Sequence, residues 1–197
     1  IEAYAVAVDG GVAYLGADGA NARISVANPA APTLMNSHIN GNDGVGMAIL
    51  PGNVLAATTP YGVTVYNASL QAVSGYPTTG GIEDVVYSEG LVYVADGDGG
   101  LLILNGANLS AMVPYASYDK IRAYGVTVDG GYAYVAGKSS GVQIFRSSVD
   151  SDADGMYDGW EIQYFGTLAQ GTYDDPDNDG INNWGEYLVN LVPTSAD

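Results

Sequence analysis

The first 149 residues of this 197-residue chain repeat a pattern of short strands, with a period close to 40 residues. Tight turns mark the repeat, and successive turns are offset by 42, 37 and 41 residues. The four turns are Asp9-Gly10-Gly11, Pro51-Gly52-Asn53, Ser88-Glu89-Gly90 and Asp129-Gly130-Gly131. A period of about 40 residues built from short strands is the signature of propeller blades. The repeat therefore predicts an all-β propeller of about four blades.

Each unit is expected to contain a strand on either side of the turn and a third strand after a polar, Gly-rich segment. The first three units also continue into a fourth strand. The second strands alternate β-branched and aromatic residues, which suits strands packed between neighbouring sheets. The expected strands lie at 5–8, 12–16, 23–27 and 34–39; at 47–50, 54–58, 63–66 and 72–76; at 85–87, 91–95, 101–104 and 112–117; and at 126–128, 132–136 and 142–145.

The last blade is expected to be incomplete, because Arg146-Ser147-Ser148-Val149 passes straight into an acidic segment. An unpaired strand edge of this kind is normally covered or completed. Three solutions remain open: the C-terminal segment packs over the edge, further blades precede Ile1, or a strand from a neighbouring molecule completes the sheet by β-augmentation. Repeated head to tail, the last solution builds a fibre.

The repeat unit resembles a known family. The pattern Gly-x-Ala-Tyr-Val-Ala followed by Gly-Val-x-Ile, clearest at 131–144 and echoed at 91–103, is similar to the LVIVD-type repeat of secreted bacterial and archaeal β-propellers. The first unit adds the turn Asn28-Pro29-Ala30-Ala31-Pro32, which such repeats often carry after the third strand. The resemblance covers residues 1–149 and implies a fold rather than a chemistry.

Two acidic loops of the same design follow the repeats, offset by 25 residues. Ca²⁺ takes about six to eight oxygen ligands, and a twelve-residue loop supplies them from alternate positions, with Gly at the sharp turn and Glu at the end. Both loops match this pattern. The predicted ligands are Asp150, Asp152, Asp154, Met156, Asp158 and Glu161 in the first site, and Asp175, Asp177, Asp179, Ile181, Asn183 and Glu186 in the second, with Met156 and Ile181 acting through their backbone carbonyls.

Each loop runs into a segment with helical spacing of apolar residues, which Gly166 and Pro193 are expected to end. No helix is expected before either loop, so these are loop-plus-helix sites rather than complete EF-hands. In this respect residues 150–197 resemble the EF-hand-like calcium repeats of dockerins and thrombospondin type 3 modules. The resemblance implies the ligand set alone. Dockerins use their paired helices to bind a partner domain, but nothing in these residues shows that this pair does.

Charge and composition exclude several classes of protein. The formal net charge is −17, of which −11 belongs to residues 150–197. Such a surface disfavours nucleic acid and anionic membranes, which are bound through clusters of Lys and Arg. The chain has no cysteine, which excludes disulfides and thiolate chemistry. It begins at Ile1 without a visible signal peptide or membrane span, as expected of a processed form or a fragment.

No catalytic group is predicted. His38 is the only histidine and is expected to lie exposed on an outer strand. The segment 96–100 is interpreted as a turn rather than a third calcium site, because it lacks the downstream Glu. Glu83 and Asp84 precede an inner strand, but no partner carboxylate is identified for hydrolysis. Asn67 and Asn108 lie in glycosylation acceptor motifs.

These observations predict a secreted, non-enzymatic protein, with a propeller at 1–149 and a two-site calcium module at 150–197. Its expected role is extracellular: structural, or in interaction with another protein or with itself, with fibre assembly by strand complementation as the finer hypothesis. The alternative is a ligand-binding, glycan-binding or hydrolytic propeller whose site lies in the central channel.

Overall fold

A computed structural model describes most of the chain. The described residues are 2–39, 41, 43–50, 52, 54–59 (backbone only), 62–106, 108–129, 131–146, 150–189 and 191–196. Some predicted features lie outside these residues, namely Ile1, parts of the second and fourth turns (Pro51, Asn53 and Gly130) and the link 147–149. The expected domain boundary after residue 149 falls at that link, so the division into two domains stays a prediction.

The strands form four antiparallel sheets, each a meander in chain order. Sheet 1 contains β1 (Ala3–Asp9), β2 (Val12–Ala17), β3 (Ala20–Ser25) and β4 (Thr33–Ile39). Sheet 2 contains β5 (Met47–Leu50), β6 (Val54–Thr59), β7 (Gly62–Tyr66) and β8 (Ala72–Pro77). Sheet 3 contains β9 (Asp84–Ser88), β10 (Leu91–Ala95), β11 (Leu101–Asn105) and β12 (Val113–Tyr118), and sheet 4 contains β13 (Gly125–Asp129), β14 (Tyr132–Ala136) and β15 (Val142–Arg146).

The sheets stack in chain order around their first strands. β1, β5, β9 and β13 lie next to one another and form the inner layer. Apolar side chains fill the space between successive sheets, as where Val63 and Val65 of sheet 2 meet Val92 and Leu104 of sheet 3. This confirms the predicted propeller of about four blades, the last of which has three strands in the described part of the chain.

One turn recurs after the third strand of the first three sheets. The side-chain oxygens of Asn28, Asn67 and Asn108 each accept the backbone N–H two residues further on, at 3.1, 2.9 and 3.1 Å. Such Asx turns reverse the chain without help from neighbouring strands. The two glycosylation acceptors are therefore turn-forming residues, and their modification stays a prediction.

Two short helices follow sheet 4. α1 (Asp158–Phe165) ends at Gly166, whose φ of 70° is the left-handed conformation that glycine adopts readily, as predicted. α2 spans Asn183–Val189. Neither helix is long and apolar enough to cross a membrane, and none other among the described residues is either.

α1 is docked on sheet 3. Ile162 is buried in the apolar core between sheets 3 and 4. Gly90, in the turn between β9 and β10, also lies against α1: a Cβ at this position would come within 2.7 Å of the backbone nitrogen of Gln163. The C-terminal segment therefore shares a core with the propeller, which is consistent with the expectation that it packs near the incomplete blade.

We expect Leu104→Ala to lower the free energy of unfolding by about 2 to 5 kcal/mol, because the substitution leaves a cavity in the core between sheets 2 and 3. Urea denaturation monitored by Tyr and Trp fluorescence measures this change. The matched control, Leu188→Ala on α2, removes a side chain that is 61% exposed and should change stability by no more than about 0.5 kcal/mol. Equal effects of the two substitutions would contradict the proposed core.

Candidate metal centres

The two acidic loops have the same backbone conformation. The fourth residue of each loop is left-handed without being glycine, with φ of 60° at Ala153 and 62° at Asn178. The glycine two positions later also has positive φ, 100° at Gly155 and 96° at Gly180. The two loops therefore follow the same backbone path, and their equivalent carboxylates point in equivalent directions.

Each loop brings its first three carboxylates together. In either set, one oxygen from each side chain lies within 4.8 Å of one oxygen from each of the others. The sets are Asp150, Asp152 and Asp154 in the first loop and Asp175, Asp177 and Asp179 in the second. Three converging carboxylates are a hard, negatively charged donor set of the kind that Ca²⁺ selects.

Backbone N–H groups hold these carboxylates in place in the same way in both loops. The first Asp of each loop accepts the N–H of the loop glycine, from Gly155 at 3.0 Å and from Gly180 at 3.1 Å. The third Asp accepts the next N–H, from Met156 to Asp154 at 2.9 Å and from Ile181 to Asp179 at 2.7 Å. Asp150 also accepts the N–H of Asp154 at 3.2 Å with its other oxygen, whereas the buried Oδ2 of Asp154 and Oδ1 of Asp175 have no hydrogen-bond partner among the described residues and are available for another contact.

Glu161, the last predicted ligand of the first loop, gives the strongest indication of a cation. Its side chain is 0% exposed, and neither carboxylate oxygen has a hydrogen-bond partner in the described part of the chain. Burial raises the pKa of Glu161 to about 8, with further contributions from the negative charges of the surrounding aspartates, Asp152 first among them. A buried carboxylate without a donor is costly, and a bound cation removes that cost. These residues therefore fit a calcium ion.

The second loop ends in equivalent groups. Glu186 is fully buried at the position that corresponds to Glu161. Asn183 is buried as well, and its side-chain amide donates to the carbonyl oxygen of Gly171 at 2.8 Å. The side-chain oxygen of Asn183 accepts no hydrogen bond from the described residues, so it is the atom through which Asn183 would bind a cation.

Asp158 is placed differently from the other predicted ligands. Its carboxylate accepts the backbone N–H and the hydroxyl of Ser151, both at 2.6 Å, and a further hydrogen bond from the Tyr115 hydroxyl of β12. Asp158 thus ties the beginning of the loop to sheet 3. Sequence reasoning missed Tyr115, because nothing in the local sequence around a strand tyrosine indicates a partner 43 residues away.

Aromatic side chains connect the two loops. Tyr187 of α2 makes an edge contact with Trp160 of α1, with ring centroids 5.3 Å apart, and stacks on Trp184 at 5.6 Å. A Cβ at Gly155 would lie 3.1 Å from the ring of Trp184, so the second loop packs directly on the first. The two sites consequently belong to one packed unit.

The other residues weighed from the sequence have structural surroundings. His38 is exposed, and its ring lies 6.5 Å from that of Tyr66. Asp96 is buried at a turn and accepts the N–H of Gly80 at 3.3 Å. Asp84 accepts the N–H of Val126 at 3.1 Å and so joins the inner strands of sheets 3 and 4, while burial raises its pKa.

Concave sites also lie outside the loops, and two of them bear on binding. The first, of about 480 Å³, is formed by the turns at the ends of sheets 3 and 4 and includes Lys120, Arg122 and Lys138. The second, of about 220 Å³, is an apolar groove between β12 and β15, lined among others by Ile103, Tyr115 and Phe145. The groove lies where a fourth strand of sheet 4 would begin to pair with β15.

Part of the chain matches a family of repeats. Residues 79–120 and 122–144, which form sheet 3 and most of sheet 4, match the LVIVD repeat. This confirms the resemblance predicted for these two units. No curated protein matches the chain in sequence.

Solved structures share the fold at low sequence identity. A chain of the mitotic checkpoint complex is 15% identical, with a TM-score of 0.64 over 74% of this chain and 49% of that one. The computationally designed Ika4 protein is 12% identical, with a TM-score of 0.60 over 73% of this chain and 90% of that one. BamB from Moraxella catarrhalis is 16% identical, with a TM-score of 0.59 over 72% of this chain and 42% of that one. The chain therefore spans about half of the length of the first and last of these proteins.

The raised pKa of Glu161 predicts how pH affects the metal-free protein. The folded state holds this proton up to about pH 8, whereas an ordinary Glu loses it near 4.5. The contribution of the protonated Glu161 to the free energy of unfolding is therefore fully present below about pH 4.5, and it is lost as the pH rises through about 8. We expect the melting temperature in chelator to decrease from pH 5 to pH 8, and Glu161→Gln to flatten this decrease. Asp18→Asn, an exposed acid outside the loops, is the control, and an unchanged slope in Glu161→Gln would refute the assignment.

Proposed function

We propose that this chain is an extracellular, non-enzymatic interaction module in which two calcium ions order the segment that closes the propeller. The observation that carries the proposal is Glu161, a fully buried carboxylate without a hydrogen-bond partner among the described residues, next to three converging aspartates. Extracellular calcium concentrations suit loops of this kind, because extracellular modules bind calcium weakly.

Calcium has a structural role in this proposal. Residues 150–197 carry a formal charge of −11, and two Ca²⁺ ions would reduce it to −7. Without the ions, the carboxylates of each loop repel one another at short range, so the free energy of ion binding contributes to folding. In this proposal the ligands are those predicted from the sequence, except that Asp158 has a different role. It lies outside the carboxylate cluster and holds the loop in place by accepting a hydrogen bond from Ser151.

Ordering of the loops is transmitted to the propeller through α1. Asp158 is the first residue of α1 and bonds to Tyr115 of β12, and Ile162 on the next turn lies in the core between sheets 3 and 4. A loop that is disordered releases both contacts. Calcium therefore stabilises the part of the propeller that borders the incomplete blade.

The interaction surface in this proposal is the open edge of sheet 4. β15 pairs with β14 on one side, and the apolar groove lies along its other side. An extended segment of a protein partner can add to such an edge through backbone hydrogen bonds and place alternate side chains in the groove. The finer form of the proposal is that a neighbouring copy supplies this strand and that head-to-tail repetition builds a fibre. The fold is compatible with protein binding, since a chain of the mitotic checkpoint complex, itself a protein assembly, shares it.

A second candidate function is the binding of an acidic ligand or glycan. The pocket of about 480 Å³ contains three of the five basic residues of the chain and two aspartates, and two of the basic residues form ion pairs within it, Lys120 with Asp119 at 2.8 Å and Arg122 with Asp98 at 3.0 Å. Arg122 and Lys138 both lie over the ring of Tyr124, at 5.2 and 5.0 Å from its centroid. Aromatic and cationic groups together suit a sugar acid or a carboxylate. The site differs from the expected central channel, because turns at the ends of sheets 3 and 4 form it.

Isothermal titration tests the calcium sites. We expect the wild-type chain to bind two Ca²⁺ ions, Glu161→Gln to bind one, and Asp154→Ala combined with Asp179→Ala, which removes an oxygen ligand from each loop, to bind none. At a calcium concentration of about 100 times Kd, the free energy of unfolding should rise by about 2.7 kcal/mol per site in the wild type. Asp18→Asn should bind as the wild type does. Unchanged binding in the double variant would show that the loops are not the sites.

A substitution that places a large side chain in the groove tests whether an added strand pairs with the open edge of sheet 4. Ala116 lines it from β12 and is exposed, so Ala116→Arg should preserve the fold while blocking an added strand. We expect electron microscopy of the wild type in calcium to show fibres that chelator dissolves and that Ala116→Arg prevents. Ala72→Arg, on the outer strand of sheet 2, is the matched control and should form fibres. Strictly single particles of the wild type with and without chelator would exclude the fibre hypothesis.

A further inference from the structure

Sheet 1 leaves an apolar face uncovered. Tyr4, Val6 and Val8 of β1 point away from sheet 2, and the two valines are 60% and 61% exposed. The strand register places further apolar residues on the same face: the exposed Leu34 of β4, the half-buried Leu15 of β2 and Ala22 and Ile24 of β3, and the buried Ala13 of β2. We call this surface the leading face of sheet 1.

The same face is buried in sheet 3. Val85 corresponds to Val6 in the repeat and pairs with Val94 as Val6 pairs with Leu15. Val85 is 2% exposed and Val94 is 0% exposed, because both lie in the core against sheet 2. The leading face of sheet 1 thus resembles in composition the face of sheet 3 that is buried against sheet 2, but no sheet of the described residues packs on it.

Sheet 4 also has an uncovered apolar face, on the side that points away from sheet 3. Val142 and Ile144 of β15 are 64% and 61% exposed, and Tyr132 and Tyr134 of β14 share their side of the sheet. We call this surface the trailing face of sheet 4.

In sheet 3 the trailing face is covered. Leu91, Tyr93 and Leu101 correspond to Tyr132, Tyr134 and Val142 at a constant offset of 41 residues, with the same strand register. All three are at most 2% exposed, because sheet 4 packs on them. Each contact between successive sheets therefore joins a trailing face to a leading face, and the described residues leave one face of each kind without a covering sheet.

We propose that a second copy of this chain covers both faces, with the trailing face of sheet 4 in each copy packed on the leading face of sheet 1 in the other. This contact repeats the one that joins sheets 3 and 4 within the chain. The chain superposes on about half of the length of several propellers, so two copies supply the sheets of a ring of that size.

The area available is sufficient for a specific dimer. Sheet 4 has three strands, and three strands about 4.8 Å apart and about 20 Å long present a flat area of roughly 290 Å² per face. A closed ring has two such contacts and covers four faces, so it buries on the order of 1,200 Å², at the lower end of the range for specific protein interfaces. An open dimer buries half as much, and closure is favoured for that reason.

This association does not use the calcium loops, and only Arg146, at the end of β15, belongs both to the trailing face and to the groove beside β12. Phe145, which lines the groove, belongs to the opposite side of β15 from Val142 and Ile144. Dimerisation should therefore persist in chelator and in Ala116→Arg, so failure of the dimer and failure of the proposed function are distinguishable.

Sedimentation velocity and light scattering of the purified chain, at tens of micromolar in chelator, test the proposal. We expect a particle of twice the 20.3 kDa mass of the chain. Val8→Glu and Ile144→Glu should each raise the dimer dissociation constant by about thirtyfold or more, since each places a charge within an apolar contact. Val73→Glu, an equally drastic change at an exposed valine of β8 away from both faces, should leave the dimer intact. Because all three positions are exposed, circular dichroism should show the same folded spectrum for each variant.

Mixing the two defective variants tests the head-to-tail arrangement. A Val8→Glu copy keeps its trailing face and an Ile144→Glu copy keeps its leading face, so the mixture should form a dimer with a single contact. A contact between two identical faces predicts no such recovery. A wild-type chain that remains monomeric, an Ile144→Glu variant that dimerises normally, or a mixture without dimers would overturn the proposal. The first of these outcomes would assign the uncovered faces to sheets other than those of a second copy.

Discussion

Burial of apolar faces between successive sheets is the constraint on which the rest of the structure depends. A four-stranded meander is too small to bury its own side chains, and each sheet here is stabilised by the sheets on either side of it. The cores between sheets 2 and 3 and between sheets 3 and 4 consist of aliphatic and aromatic residues from facing strands. In the described part of the chain, sheets 1 and 4 each pack against a single neighbouring sheet, and the same requirement explains why each of them keeps an apolar face open.

The C-terminal segment depends on this core as well. α1 has only eight residues, which is too short for a helix to be stable alone in water. Ile162 anchors it in the core between sheets 3 and 4, and Tyr115 holds Asp158 at its first residue. The carboxylates before α1 oppose this arrangement, because they concentrate negative charge around Glu161. A divalent cation relieves that repulsion where the apolar contacts cannot, and this gives the proposed calcium ions their structural role.

Several parts of the structure were predictable because the responsible interactions are local. The turn residues, the alternation of strand side chains and the helix end at Gly166 are properties of short segments. The order of strands and the three-stranded last sheet followed from the repeat. The convergence of the three aspartates in each loop was also predictable, since spacing and glycine position decide it within twelve residues. In contrast, the position of Asp158 depends on Tyr115, and the pocket around Tyr124 depends on turns from two sheets.

The sequence by itself determined the strands, their grouping into repeats and the chemistry of the acidic loops, because neighbouring residues specify all three. Only the tertiary structure decided where α1 docks, which carboxylate is buried without a donor and which sheet faces remain uncovered. Val6 and Val85 illustrate the reason. They occupy the same place in the repeat and have the same side chain, yet one is 60% exposed and the other 2% exposed. Exposure depends on the sheet that lies opposite, and no local sequence contains that information.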